Sequence, residues 1–85
     1  MKFHYYIVFE LDTVIDDEFI NFKEGIELIL KSPIMNLNDI ETCKYSIFKE
    51  LRDIDPLLED LNYEDVNIVI LNYQLFKTNQ ILDKL

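Results

Sequence analysis

Two segments with strand-like sequence lie near opposite ends of this chain, and they limit its fold more than any other feature. Side chains alternate over residues 3–11, and the odd-numbered side carries Phe3, Tyr5, Ile7, Phe9 and Leu11. This period of two predicts a strand with that side buried. Residues 66–76, VNIVILNYQLF, are β-branched and apolar, and predict a second strand. The side of it that best fits a core consists of Val69, Leu71, Tyr73 and Leu75.

The spacing of apolar residues predicts a helix over residues 16–32. One stripe at helical spacing consists of Phe19, Phe22, Ile26, Ile29 and Leu30. Asp16 suits the N-cap position, and Pro33 would end the helix. Gly25, the single glycine, falls inside this segment, which suggests that another element approaches closely there.

A second helix is predicted over residues 39–54, with Asn38 as its cap. Its apolar face would consist of Ile40, Cys43, Ile47, Leu51 and Ile54. The pair Asp55-Pro56 is typical of a cap followed by the first helical residue, so a short third helix should follow. For the tail, a short helix beginning near Thr78 is favoured over a third strand.

The predicted fold is therefore α+β, with the order strand, helix, helix, short helix, strand, tail, in a single domain covering residues 1–85. Two successive long helices return the chain to its starting end, so the two strands should be antiparallel. Because a two-stranded sheet is marginal, either the tail or a second chain should add a strand.

Composition favours a cytoplasmic protein. The longest run without a charge is eleven residues, whereas a membrane-spanning helix needs about 20. The N-terminal MKFHYYIVFELD resembles a strand more than a signal peptide. A lone Cys43 cannot form a disulfide within the chain, which fits a reducing compartment. Twelve Ile against no Ala and one Arg indicate AT-rich codons, as in a virus, a mobile element or a low-GC bacterium.

The negative charge is concentrated in two blocks. The net charge is −9, and residues 53–65 carry six acidic residues and no basic one. A second block extends from Glu10 to Glu18. If the strands are antiparallel, the end of the first strand lies near the start of the second, and both blocks meet at one end of the molecule.

Several chemistries fit the sequence poorly, so no enzyme, cofactor or metal is predicted. A calcium loop beginning at Asp53 would need glycine where Leu58 stands. One His and one Cys cannot complete a zinc site. Cys43 falls on the apolar face of its helix, and His4 on the outer side of the first strand, as an ordinary surface residue. Direct binding of nucleic acid is disfavoured by the acidic charge, since phosphates are bound by Lys and Arg.

The charge pattern predicts a small acidic module that binds a basic surface of another protein, such as one that binds nucleic acid. It would act as an inhibitor of viral or mobile-element type, in the host cytoplasm if viral, with carboxylates standing in for phosphates. The predicted contact residues, Tyr63 being an apolar anchor, are Asp16, Asp17, Glu18, Asp53, Asp55, Glu59, Asp60, Tyr63, Glu64 and Asp65. The alternative is a self-associating structural or regulatory domain without an inhibitory role, dimerising through strand edges.

Overall fold

The computed structural model describes residues 2–78, and the predicted tail lies mostly outside them. The elements are β1 (Phe3–Ile15), β2 (Glu18–Leu30), α1 (Leu37–Ile54), a first 3-10 helix (Pro56–Leu58), a second 3-10 helix (Tyr63–Asp65) and β3 (Val66–Thr78). The three strands form one antiparallel sheet in the order β2-β1-β3. The α+β class and the antiparallel pairing of the first and last strands are confirmed.

The prediction of a helix over residues 16–32 is wrong, because this segment is β2 of a hairpin with β1. The two strands pair from Phe3–Leu30 to Ile15–Glu18. The same sequence also has a period of two, which the helical stripe obscured. Its even-numbered side lies on the same face as the core, which Phe22, Ile26, Leu28 and Leu30 contact. Ile20 continues this side opposite Thr13, and exposed Glu24 interrupts it. A helix leaves Ile20 and Leu28 off its stripe, whereas the strand uses both.

The hairpin turns at Asp16 and Asp17, the two residues between the strands. Their φ angles are 52° and 65°, and positive φ at both central residues is what a two-residue type I′ turn requires. Aspartate is one of the few residues other than glycine that visit this left-handed region with some frequency. Asp16 is therefore a turn residue and not a helix cap.

We expect Asp17→Gly to raise the free energy of unfolding by about 1 kcal/mol, because glycine adopts positive φ without the Cβ clash. Asp17→Val should lower it by about 1–2 kcal/mol. Urea unfolding measures both, and Asp17→Asn controls for the lost charge. In the first turn of a helix, glycine would instead be destabilising, so a loss of stability in Asp17→Gly would contradict the hairpin.

One face of the sheet packs against α1, and we call it the helix face. We call the opposite face the open face. The β1 residues of the helix face, all buried, are Tyr5, Ile7, Phe9, Leu11 and Thr13. From α1 they meet Cys43, Ile47, Phe48 and Leu51. The predicted face of this helix was correct for Cys43, Ile47 and Leu51, while Ile54 is 70% exposed. The helix begins at Leu37 with Asn36 as its cap, two residues earlier than the predicted cap Asn38.

The predicted core side of β3 holds for only half of the strand. Ile68 and Ile70 pair with Leu11 and Phe9, which places them on the helix face. The register with β1 then shifts between Val8 and Phe9, so one additional β3 residue, Leu71, is inserted there. Such a bulge changes which alternate side chains face the core. After it, Tyr73 and Leu75 take the helix face, whereas Val69, before it, faces the other way.

The connection from α1 to β3 contains two 3-10 helices instead of the predicted short third helix. Asp55 does cap the first of them, since its carboxylate accepts a hydrogen bond from the Leu57 N–H at 3.0 Å. Pro56 occupies the first helical position, as predicted. Leu58 is buried and holds the connection against the core.

The single glycine lies in β2 on the open face, and the close approach predicted there comes from β1. A Cβ atom at Gly25 would collide with the hydroxyl end of the Tyr6 side chain. Tyr6 is half exposed, so its ring covers a gap in the sheet that the missing side chain leaves.

Candidate acidic binding site

The antiparallel sheet and the direction of α1 bring both acidic blocks to the same end of the molecule. The helix begins near the first residues of β1, where the Ile34 N–H donates to the Tyr5 hydroxyl at 2.9 Å. It ends near the far end of β1, because the chain that follows it enters β3 opposite Thr13. We call this far end the acidic end. The predicted carboxylates there lie on the hairpin turn, on the last turn of α1 and on the 3-10 helices.

A hydrogen bond from β1 fixes the second 3-10 helix at the acidic end. The hydroxyl of buried Thr13 donates to the backbone carbonyl of Asp65 at 2.8 Å. The Asp65 carboxylate accepts from the Asn62 N–H at 2.9 Å. The exposed carboxylates of Glu64 and Asp65 are therefore held beside the end of β1.

A cleft lies at the acidic end because the hairpin is longer than the β1–β3 ladder. Pairing with β3 stops at Thr13–Val66, whereas pairing with β2 continues to Ile15–Glu18. The step between them forms a cleft of about 610 Å³. We call it the acidic cleft. It is lined by Asp12, Thr13, Val14, Phe19, Leu61, Glu64, Asp65, Val66 and Asn67.

One wall of the acidic cleft is apolar. Val14 and Phe19 are a cross-strand pair near the hairpin turn, and they are 59% and 66% exposed. Asp12, Glu64 and Asp65 provide the carboxylates of the same cleft. An exposed aromatic residue inside a charged rim is the usual composition of a protein-binding surface.

Sequence reasoning missed the apolar pair. Phe19 was assigned to a buried helical stripe, and the first strand was ended at Leu11. The available signal was Thr13 and Ile15, which continue the odd-numbered alternation past Leu11 and thereby place Val14 on the opposite side.

The negative charge beside the cleft is partly organised by Asn21 on β2. Its side-chain amide donates to the carboxylate of Glu10 at 3.2 Å and also to that of Asp12. A shared donor offsets the repulsion between two neighbouring carboxylates. The Asp12 carboxylate is thereby held in place at the edge of the acidic cleft.

Two of the other predicted carboxylates, Asp53 and Glu59, belong to a separate, mixed-charge surface at the end of α1. A cavity of about 520 Å³ there is lined by Lys49, Arg52, Asp53, Ile54, Pro56 and Glu59. Arg52 donates to the Glu59 carbonyl at 3.4 Å. Two basic residues thus share this surface with Asp53 and Glu59, whereas the lining of the acidic cleft contains no basic residue from the described part of the chain.

Tyr63, the predicted aromatic anchor, is half-buried and contributes to the fold. Its ring makes edge contacts with Phe48 and Tyr45, with centroid distances of 5.6 Å and 5.3 Å. Phe19 is more accessible than Tyr63 and lies in the cleft itself.

Cys43 and His4 lie on opposite faces of the sheet. Burial, and secondarily the charge of Asp39, raises the pKa of the Cys43 thiol. His4 is buried on the open face, which corrects its prediction as an ordinary surface residue. Its Nδ1 lies 3.4 Å from the Glu27 carboxylate, and its ring edge contacts Phe76.

Within residues 2–78, no three side chains of His, Cys, Asp or Glu are grouped so that they could hold a metal ion. Over the same residues, no helix has both the length and the apolar character that crossing a membrane requires. No protein-family model, curated protein or solved structure matches this chain. The geometry of the acidic end is therefore the basis for inferring a function.

Because the folded protein holds Cys43 with a raised pKa, its thiol form favours the native state. That stability is fully present below the pKa of the unfolded-chain thiol, and it is lost as the pH rises through the folded pKa. We expect the free energy of unfolding to fall less steeply with alkaline pH in Cys43→Ala than in the wild type. The two proteins differ only at this residue, so identical slopes would contradict the assignment.

Proposed function

We propose that this protein is a small binding module that presents the acidic cleft to a basic surface of another protein. The supporting observation is the meeting of two acidic blocks, distant in sequence, around the exposed Val14–Phe19 pair. Phe19 would enter an apolar depression of the partner, while Asp12, Glu64 and Asp65 pair with its lysines and arginines. Charge of this kind steers association and sets register.

The proposed partner is a protein whose basic surface otherwise binds nucleic acid. A row of carboxylates on a rigid hairpin and a 3-10 helix can occupy sites that recognise phosphates. Binding there excludes the nucleic acid, so the module would act as an inhibitor in the cytoplasm, of the kind that viruses and mobile elements encode. Carboxylate–guanidinium pairs in such a contact are strongest when bidentate.

Charge reversal at the acidic end tests the proposal. The double variant Asp12→Lys with Glu64→Lys changes two residues that line the acidic cleft. It should bind a captured basic partner about tenfold or more weakly at low salt, since two attractive pairs become repulsive. The matched control is Glu24→Lys with Glu50→Lys, two exposed residues away from the cleft. Both double variants change the net charge equally, so any difference in their binding depends on where the substituted residues lie.

Binding is measured with the immobilised protein, a lysate, and elution by salt or by duplex DNA. We expect a basic protein that wild type and control retain, that the acidic-end variant loses, and that DNA releases. Equal retention by both double variants would overturn the proposed site. Phe19→Ser should weaken binding without changing its dependence on salt, because no charge is removed.

A second candidate is a self-associating structural or regulatory domain, and one observation favours it. The edge strand β3 carries exposed Val69, Leu71, Tyr73 and Leu75 and no charge from Val66 to Phe76. Under this alternative the acidic end only keeps the assembly soluble. A dimer that no basic protein joins would favour it over the lead proposal.

A further inference from the structure

We propose that β3 pairs antiparallel with β3 of a second copy, which joins two sheets into one. Within residues 2–78, no strand hydrogen-bonds to the outer edge of β3, which is thirteen residues long. Such an edge presents a row of backbone donors and acceptors that a further strand can satisfy. This inference deepens the second candidate function, and it does not require that the acidic cleft binds a basic partner.

The two edges of the sheet differ in how they are protected. Along β2, the opposite edge, charged residues recur at Glu18, Lys23, Glu24 and Glu27. Along β3 the residues from Val66 to Phe76 carry neither a charge nor a proline. Among the residues that the structure describes, the pair of register shifts is its only protection of the usual kinds. In a protein of net charge −9, β3 is where another copy can approach without repulsion.

Only the first half of β3 is buried on the helix face, and pairing with a second copy about a twofold axis would also shield the second half. Ile68, in the first half of the strand, is buried, whereas Tyr73 and Leu75 in the second half are 43% and 44% exposed. Antiparallel pairing about a twofold axis perpendicular to the sheet puts both α1 helices on one side. It also sets the uncovered half of one β3 beside the covered half of the other. The apolar side chains in the covered half of one β3 thus lie beside the exposed Tyr73 and Leu75 of the other copy.

The charges that flank β3 fit the same arrangement. Glu64 and Asp65 precede the strand, and Lys77 lies near its end. An antiparallel pairing centred near Leu71 places Lys77 of one copy beside Asp65 of the second copy, at both ends of the ladder. A parallel pairing would instead align acid with acid. Charge complementarity therefore selects a second copy of this chain in antiparallel register as the occupant.

Sedimentation velocity over a micromolar concentration series tests the pairing. We expect a concentration-dependent dimer for the wild type that persists at high salt. Leu71→Lys, on the outer edge, should raise the dimer dissociation constant at least about tenfold by adding an edge charge to each copy. The control Ile29→Lys, which changes a similarly exposed residue of β2, should leave it unchanged. Far-UV circular dichroism verifies that both variants fold.

A wild-type protein that stays monomeric throughout the series would overturn the inference, as would a dimer that Leu71→Lys leaves intact. A dimer broken by Ile29→Lys but not by Leu71→Lys would assign the contact to β2 instead. The register has its own test, in which Lys77→Glu weakens the dimer about tenfold. Adding Asp65→Lys to it should restore part of the affinity. None of these outcomes depends on whether the acidic cleft binds a basic partner.

Discussion

The pairing of β1 on both sides is the constraint on which the rest of the structure depends. Both neighbours are antiparallel to it, β2 through the turn at Asp16 and Asp17 and β3 after the return of the chain through α1. Because β1 is central, its helix face is buried from Tyr5 to Thr13, and its far end fixes both the hairpin and the second 3-10 helix. A helix over residues 16–32 would leave β1 with one partner, and such a sheet is marginal.

The main error of the sequence analysis came from a segment that satisfies two periods. Phe22 and Ile26 belong both to the helical stripe and to the even-numbered side of a strand. What decides between the two structures is pairing with another strand, since β2 gains its backbone hydrogen bonds and its apolar contacts from β1. No local pattern contains that contribution. The turn was also inconspicuous, because Asp-Asp marks a two-residue hairpin far less strongly than Asn-Gly does.

The predictions that held are those set by local chemistry. Alternation over the first strand, the buried stripe of α1 and the cap at Asp55 each follow from residues a few positions apart. The buried side of β3 did not, because a bulge at Leu71 reverses the alternation halfway along the strand, and register against β1 determines where that bulge falls. For the candidate site, the meeting of the acidic blocks follows from topology, whereas its apolar wall depended on the hairpin.

The placement of charge keeps the two candidate surfaces compatible. Two carboxylates about 6 Å apart in water repel by about 0.7 kcal/mol, and salt screens charges beyond about 8 Å. Clustering at the acidic end therefore costs the fold little, and a basic partner would recover that cost. In an antiparallel β3 pair the two hairpin turns point in opposite directions, separated by more than a strand length of about 40 Å. Repulsion between them is screened at that distance. The charge on the hairpin then hinders neither pairing of β3 nor access to Phe19 in the cleft.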